Sequence, residues 1–235
     1  MAAVPSAPDL EQLYAYPDVD RPWVRTDFVA TLDGAAWTGE GTSGALGGDA
    51  DKAAFSMMRS LADVVVVGAG TARTEGYRPL TPASVDQTVR ERHGLAPAPV
   101  LVVVSRSLDV PDSLADGGAV IVTSRAAPPA RLTDLRGRTE VLQHGDDAID
   151  WPAVLHDFAA RGWNRVLCEG GPSLHGDLLA ADLVDEVCLT IAPVVAAGDA
   201  SRIAHGRSAL DRPARLGHAV AVGDVLLTRW TLDRP

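Results

Sequence analysis

Cysteines, basic residues and long apolar runs are all scarce in this chain of 235 residues. The two cysteines, Cys168 and Cys188, lie in apolar segments, which predicts buried thiols in a reducing compartment rather than disulfide bonds. Lysine and arginine number 21 against 31 acidic residues, and the net charge of −10 argues against binding to nucleic acids or to an anionic membrane surface. No run approaches the ~18 consecutive apolar residues of a membrane-spanning helix.

Signal sequences and metal-binding motifs are also missing. The amino terminus has neither the charged nor the apolar region of a signal peptide, so we expect a cytoplasmic protein. The six histidines form no HExxH motif and no pairing with cysteine, so we predict no metal site. There is no Walker-type lysine motif, and residues 41–45 lack the final glycine of a hydrolase nucleophile elbow.

Strand-like and helix-like segments alternate from residue 24 onward, after a proline-rich arm at residues 1–22. With 46% hydrophobic residues, the length suits a single α/β domain over residues 1–235. The order predicts a mixed, mostly parallel central sheet with an antiparallel C-terminal hairpin and helices on both faces. The predicted strands are 24–31, 64–67, 100–104, 119–122, 140–142, 165–168 and 187–193, with a hairpin of 219–222 and 225–232; the predicted helices are 49–61, 151–161 and 172–180.

The helix at 49–61 has the clearest pattern. Asp49 is expected to cap its amino terminus through the carboxylate. Its apolar stripe is predicted to consist of Ala53, Met57, Met58 and Leu61. Residues 76–98 are polar and contain proline, which predicts a long excursion between two strands.

The segment 166–176 runs from an apolar strand through Glu169, Gly170 and Gly171 into a helix. Backbone without side chains can approach a phosphate closely, and a helix amino terminus offers unpaired N–H groups to it. A carboxylate directly after a buried strand is costly unless it is hydrogen-bonded or faces a ligand. Glu169 is therefore either a ligand-binding residue or an acceptor of backbone N–H bonds that shape the turn.

An earlier strand, turn and helix at 64–75 contains the glycine-rich stretch 68–73, in which Arg73 stands where a dinucleotide fingerprint would have its third glycine. The stretch is thus either a plain turn or a phosphate loop. The Thr71 hydroxyl would cap the following helix or bind a phosphate. Ser105 and Arg106 follow the strand 100–104, where they would bind the 2′-phosphate of NADP or form a solvated strand end.

Five segments together resemble the reductase half of the bifunctional riboflavin-biosynthesis deaminase/reductase and its stand-alone pyrimidine-reductase relatives. They are Phe28-Val-Ala-Thr-Leu-Asp-Gly34, Met58-Arg-Ser-Leu-Ala-Asp63, Val67-Gly-Ala-Gly-Thr-Ala-Arg-Thr-Glu75, Glu169-Gly-Gly-Pro-Ser-Leu-His-Gly176 and Leu183-Val-Asp-Glu186. The similarity extends over residues 13–232 in the same order. It implies a three-layer dihydrofolate-reductase-like fold, a homodimer and hydride transfer from NADPH to a small-molecule substrate.

The resemblance also implies site residues. Ser43, Arg59 and Glu169 would hold the substrate, with Arg59 on a ribose phosphate and Glu169 on the N–H groups of a pyrimidine ring. The cofactor would contact Val29, Ala45, Gly70, Thr71 and Glu75 together with Gly170, Gly171, Pro172, Ser173 and Leu174.

Two departures from the family bear on the substrate. Nothing matches the zinc-binding pattern of the deaminase half. Asp27 stands where the riboflavin reductases usually have a lysine, and Thr31 stands where they have a serine. On an alternating strand Asp27, Val29 and Thr31 share one face, so Asp27 is expected to point towards the nicotinamide. This carboxylate would disfavour a phosphate nearby and would suit a pteridine-like ring.

The sequence, with this resemblance, therefore predicts an NADPH-dependent reductase of a ribosylaminopyrimidine of the riboflavin-biosynthesis type, similar to the 5-amino-6-(5-phosphoribosylamino)uracil reductases, with Asp27, Glu169 or a bound water as the proton donor. One alternative is a dihydrofolate or pteridine reductase that uses the same pocket. The other is a module that binds NADP without turnover.

Overall fold

The computed structural model describes residues 9–38, 42–44, 46–206 and 209–233, and it arranges their nine strands in one sheet. The strand order is β5-β4-β3-β2-β6-β1-β7-β9-β8. All neighbours from β5 to β7 pair in parallel, whereas β9 and β8 are antiparallel. The strands are β1 Trp23–Ala30, β2 Val64–Gly68, β3 Val100–Val104, β4 Val120–Thr123, β5 Val141–Gln143, β6 Arg165–Cys168, β7 Glu186–Ile191, β8 Ala214–Val222 and β9 Val225–Leu232.

The valine-rich strands in the middle of the sheet are buried on both faces. In β2, Val65 and Val67 pack into the core on one side, while Val64 and Val66 pack into the core on the other. Such a strand has no solvent-facing side, which explains its continuous run of β-branched residues.

Helices cover both faces of this sheet, as predicted. The first core packs against α1 to α6 and the second against α7 and α8. Within the described ranges, no helix is long and apolar enough to cross a membrane. The helices are α1 Leu10–Leu13, α2 Gly48–Leu61, α3 Ala69–Thr74, α4 Gln87–Arg92, α5 Asp112–Ala115, α6 Pro129–Arg136, α7 Trp151–Ala160 and α8 Pro172–Ala180.

Several local predictions were wrong. Helix α2 begins one residue before Asp49, and its N-cap is Gly47 without a side-chain cap. Asp49 lies in the first turn, where its charge still complements the helix dipole. Ala53 is exposed, and the buried stripe contains Ala54 instead. The excursion at 76–98 contains α4, and α5 and α6 were missed because these helices have only four to eight residues.

A buried ion pair joins β1 to β7 beneath the amino-terminal arm. Arg25 Nε lies 2.5 Å from Glu186 Oε1, and both side chains are fully buried. Arg25 also donates to the carbonyl oxygens of Tyr14 and Ala15, and its guanidinium lies 4.0 Å from the centroid of the Tyr16 ring. The arm is thus held on the sheet by a buried arginine whose counter-ion, Glu186, also pairs with Arg229 at 3.2 Å.

Removal of that carboxylate charge should destabilise the protein strongly. In Glu186→Gln, Arg25 would keep its charge in a buried site without its counter-ion, which typically costs about 3 to 5 kcal/mol. Urea unfolding followed by circular dichroism measures the loss. The exposed pair Arg125–Asp146 provides the control, because Asp146→Asn should cost less than about 1 kcal/mol. Equal effects of the two substitutions would contradict this prediction.

Candidate active site

A cavity of about 970 Å³ opens at the carboxyl ends of β1, β2 and β6. Parallel strands bring these ends to one edge of the sheet, where α/β proteins bind ligands. The volume is at the upper end of the range for small-molecule sites and suits two ligands side by side. The lining includes Asp27 and Val29 of β1, Asp51, Phe55 and Arg59 of α2, Gly70 and Thr71 of α3, and Tyr77, Glu169, Gly171, Pro172, Ser173 and Leu174 from the segments between elements and the start of α8.

Glu169 is the centre of a polar cluster in this cavity. Arg59 donates to it with both arms of its fork, from Nε to Oε1 and from Nη2 to Oε2, each at 2.7 Å. The Tyr77 hydroxyl donates to Oε2 at 2.7 Å. These partners are side chains, so the alternative that Glu169 accepts backbone N–H bonds has no support among the described residues. A carboxylate has about four acceptor positions, and one therefore remains for a ligand.

The other members of this cluster are held in fixed protonation states. Burial alone would lower the pKa of Arg59, but the charge of Glu169 and its hydrogen bonds raise that pKa above its ordinary value. Burial, and then the charge of Glu169, raise the pKa of Tyr77 well above its ordinary value. Arg59 therefore stays charged and Tyr77 stays a donor. The Phe55 ring lies 4.1 Å from the guanidinium and fixes its plane.

Two further carboxyl groups, Asp27 and Asp51, face the cavity from β1 and α2. Burial is the main cause that raises the pKa of Asp27 well above its ordinary value, and the charges of Asp51 and Glu169 add to it. Burial also raises the pKa of Asp51, against a hydrogen bond with Thr190. Asp27 thus keeps its proton at a higher pH than an exposed aspartate does.

Ser43 and Glu75, predicted from the resemblance, are bonded to each other. The backbone N–H and the hydroxyl of Ser43 donate to Glu75 Oε1 at 2.9 and 3.0 Å. Both residues line the cavity, and their contact holds the loop at 42–44 against the end of α3. Ala45, predicted as a cofactor contact, lies outside the described residues.

The two glycine-rich turns touch each other. The N–H of Gly68 donates to the carbonyl oxygen of Gly170 at 2.7 Å. A Cβ on Gly171 would overlap the Thr71 hydroxyl, so any other residue there requires the Thr71 side chain to move. The expectation that Thr71 caps the helix was wrong, since Thr71 lies inside α3 and the N-cap is Gly68. Its hydroxyl faces the other turn instead.

Helix α8 begins directly behind the Glu169 turn. Its N-cap is Gly171, and Pro172 at the first position has no N–H to leave unpaired. Gly170 has φ +87°, and a Cβ there would lie 2.9 Å from the Phe28 ring. His175 stacks on that ring at 4.6 Å and is buried, so it packs and does not lie on the surface. Burial lowers the pKa of His175 to about 4, which keeps it neutral.

Some residues of the site were not predicted from the sequence, and some predicted residues do not line the cavity. Asp51 and Phe55 were missed, although their spacing from Arg59 places all three on one face of α2. Tyr77 carried no signal, because it lies in the stretch read as an excursion. Ser105 and Arg106 do not line the cavity. Ser105 is buried and Arg106 is exposed, and their role at a 2′-phosphate stays a prediction.

Comparison with known proteins agrees with this geometry. The family model of the RibD C-terminal domain matches residues 22–227. A 2,5-diamino-6-ribosylamino-4(3H)-pyrimidinone 5′-phosphate reductase from Methanothermobacter thermautotrophicus is 30% identical over 221 residues, which are 90% of this chain and 99% of that protein. Its counterpart from Archaeoglobus fulgidus is 26% identical over 212 residues, covering 86% and 97%.

Among solved structures, a pyrimidine reductase-like protein from Corynebacterium diphtheriae superposes with a TM-score of 0.82 at 25% identity. The match covers 96% of this chain and 99% of that one. The five sequence motifs predicted this relationship, and the predicted arrangement of sheet and helices is confirmed. The chain belongs to the RibD C-terminal domain family.

Proposed function

We propose that this protein is an NADPH-dependent reductase of a ribosylaminopyrimidine 5′-phosphate in riboflavin biosynthesis. The observation that carries the proposal is the meeting of a buried Asp27, whose pKa is raised, with the Glu169–Arg59–Tyr77 cluster at the glycine-rich turns. The names of the curated relatives support the same reaction class.

The turns fit a phosphorylated nicotinamide cofactor, which supplies a hydride when bound. The overlap that a Cβ on Gly171 would produce with Thr71 shows how closely the two turns approach, and bare backbone of this kind admits a pyrophosphate. The first turn of α8 offers the N–H groups of Ser173 and Leu174, which have no acceptor within the helix. An acidic protein can thus bind an anionic cofactor through backbone donors.

Glu169 is proposed to bind the pyrimidine ring. Its remaining acceptor position suits a ring N–H, and its three hydrogen bonds fix where that N–H must lie. The relatives are named for a 2,5-diamino pyrimidinone, and we propose this substrate for the present chain. Arg59 and Tyr77 occupy the other acceptor positions of the carboxylate, so we assign Glu169 to positioning the ring.

Asp27 is proposed to supply the proton. Reduction of the ribosyl group to a ribityl chain forms a C–H bond at C1′ and breaks the bond between C1′ and the ring oxygen O4′. The electron pair of that bond stays on O4′, which needs a proton. Asp27 faces the cavity, and burial and the Asp51 charge raise its pKa, which favours the protonated form that a donor needs.

The homodimer and the cytoplasmic location stay predictions from the resemblance and from composition. A dimer would be supported by apolar side chains that remain accessible at this end of the sheet. They are half-buried Leu189 and Ile191 of β7, half-buried Leu226 of the neighbouring β9, and exposed Leu216 of β8.

The first test is NADPH consumption by the purified protein, followed by absorbance. We expect oxidation with the 2,5-diamino ribosylaminopyrimidine phosphate, slower or no oxidation with its 5-amino uracil counterpart, and none with dihydrofolate. Oxidation with dihydrofolate alone would favour the pteridine-reductase alternative. Saturable NADPH binding without oxidation of any substrate would favour the non-catalytic module.

The second test concerns the pH dependence that Asp27 confers. If its protonated form donates, kcat is fully present below the raised pKa of Asp27 and falls as the pH rises through it. Asp27→Asn should lower kcat by about 100-fold to 10,000-fold and abolish that alkaline fall. Asp51→Asn is the matched variant. Loss of the Asp51 charge should lower the pKa of Asp27, so that kcat falls at a lower pH than in the wild type. An unchanged kcat in Asp27→Asn would leave bound water as the donor.

The third test concerns the contact between the two turns. Gly171→Ala should weaken NADPH binding by about tenfold or more, because its Cβ displaces the Thr71 side chain and fills space proposed for the pyrophosphate. Fluorescence titration measures the affinity, and circular dichroism checks the fold. The double variant Gly171→Ala/Thr71→Ala removes the clash between the new Cβ and the Thr71 hydroxyl. Full recovery of binding there would mean that the Cβ does not occupy cofactor space, and unchanged binding in Gly171→Ala would contradict the assignment.

A further inference from the structure

The charge of Arg59 is already compensated inside the cavity. Two of its three nitrogens donate to Glu169 at 2.7 Å, and the pair forms a bidentate contact. Asp27, Asp51 and Glu75 bring three more carboxyl groups to the same cavity. A phosphate monoester carries nearly two negative charges at neutral pH. Arg59 alone therefore leaves such a group without a counter-charge of its own.

Arg78 is a second arginine that lines this cavity. Its side chain is exposed and has no ion pair or hydrogen bond with any residue that the structure describes. The neighbouring cations differ in this respect. Arg73 lies 3.1 Å from Asp109, and Lys52 lies 3.9 Å from Asp49. Arg78 is also the residue directly after Tyr77, which donates to Glu169, so its backbone lies next to the substrate cluster.

The backbone on both sides of Arg78 is fixed. Helix α3 ends in a Schellman motif, in which Gly76 has φ +67° and the N–H of Tyr77 bonds to the carbonyl oxygen of Ala72 at 2.9 Å. Pro79 follows and restricts Arg78 to extended conformations. Pro79 in turn packs closely on Gly117. The backbone position of Arg78 is thus fixed next to the cavity, while its exposed side chain remains free to reach a ligand.

We propose that Arg78 binds the 5′-phosphate of the substrate and so selects the phosphorylated form. The inference rests on the proposed function. The 2′-phosphate of NADPH offers the same chemistry, but Arg78 follows Tyr77 at the substrate cluster, whereas the proposed cofactor contacts lie on the glycine-rich turns. Arg59 is a poor probe of this role, because its removal would also leave Glu169 without its counter-ion.

The test compares Arg78→Ala and Arg78→Lys with the wild type on the ribosylaminopyrimidine and its 5′-phosphate. With the phosphorylated substrate, Arg78→Ala should raise KM by about 10-fold to 100-fold, as expected for loss of a charge-assisted contact. The KM of Arg78→Lys should lie between those of the wild type and Arg78→Ala, since lysine keeps the charge but cannot form a bidentate contact. With the dephosphorylated substrate, KM should not change. Arg73→Ala is the control, because Arg73 belongs to the same turn region but is paired with Asp109.

Three outcomes would overturn the proposal. The first is an unchanged KM for the phosphorylated substrate. The second is an equal rise for both substrates, which would indicate a structural role. The third is a loss seen with NADPH and not with NADH, which would place the 2′-phosphate at Arg78. Should the wild type reduce neither substrate, calorimetry with ribose 5-phosphate still tests the proposed phosphate contact. Weaker binding by Arg78→Ala than by the wild type would support the role of Arg78, and equal binding would refute it.

Discussion

The bidentate ion pair between Arg59 and Glu169 is the contact on which the rest of the site depends. The pair joins Glu169, at the end of β6, to Arg59 in α2. The Tyr77 hydroxyl connects the segment after α3 to the same carboxylate. Three separate stretches of chain thereby converge on one carboxylate. Because the pair is largely buried, neither partner can leave without exposing the other as an uncompensated charge. The position of Glu169 is therefore fixed before any ligand binds.

Around this pair, the electrostatics of the cavity differ from place to place. Asp27 and Asp51 lie deep on β1 and α2 without an arginine of their own, and burial favours their protonated forms. At the glycine-rich turns, backbone N–H groups replace cationic side chains. At the rim, Arg78 carries the charge that no described carboxylate neutralises. Under the proposed function, a protein with a net charge of −10 thus separates the carboxyl groups that favour a proton from the sites that bind anions.

Sequence patterns predicted the sheet well, because buried parallel strands require uninterrupted β-branched residues, as in Val64–Val67. They also located Glu169, since a carboxylate after such a strand needs a compensating partner. They did not find Tyr77, whose role arises only when the turn after α3 folds back over α2. The short helices α4 and α5 were missed for a related reason, since each buries only one or two apolar residues and no periodicity develops over so short a segment.

The presence of Asp27, where the riboflavin reductases usually have a lysine, changes the charge of the cavity. A lysine at that position would place a permanent charge beside Arg59 and would neutralise the carboxylates. Asp27 instead adds a third acidic group to Asp51 and Glu169, and their mutual repulsion is relieved when one of them is protonated. Burial favours the protonated forms of Asp27 and Asp51, whereas Glu169 is paired with Arg59. The substitution thus replaces a cationic side chain by a carboxyl group that favours its protonated form, and under the proposed function the phosphate is bound by residues at the rim.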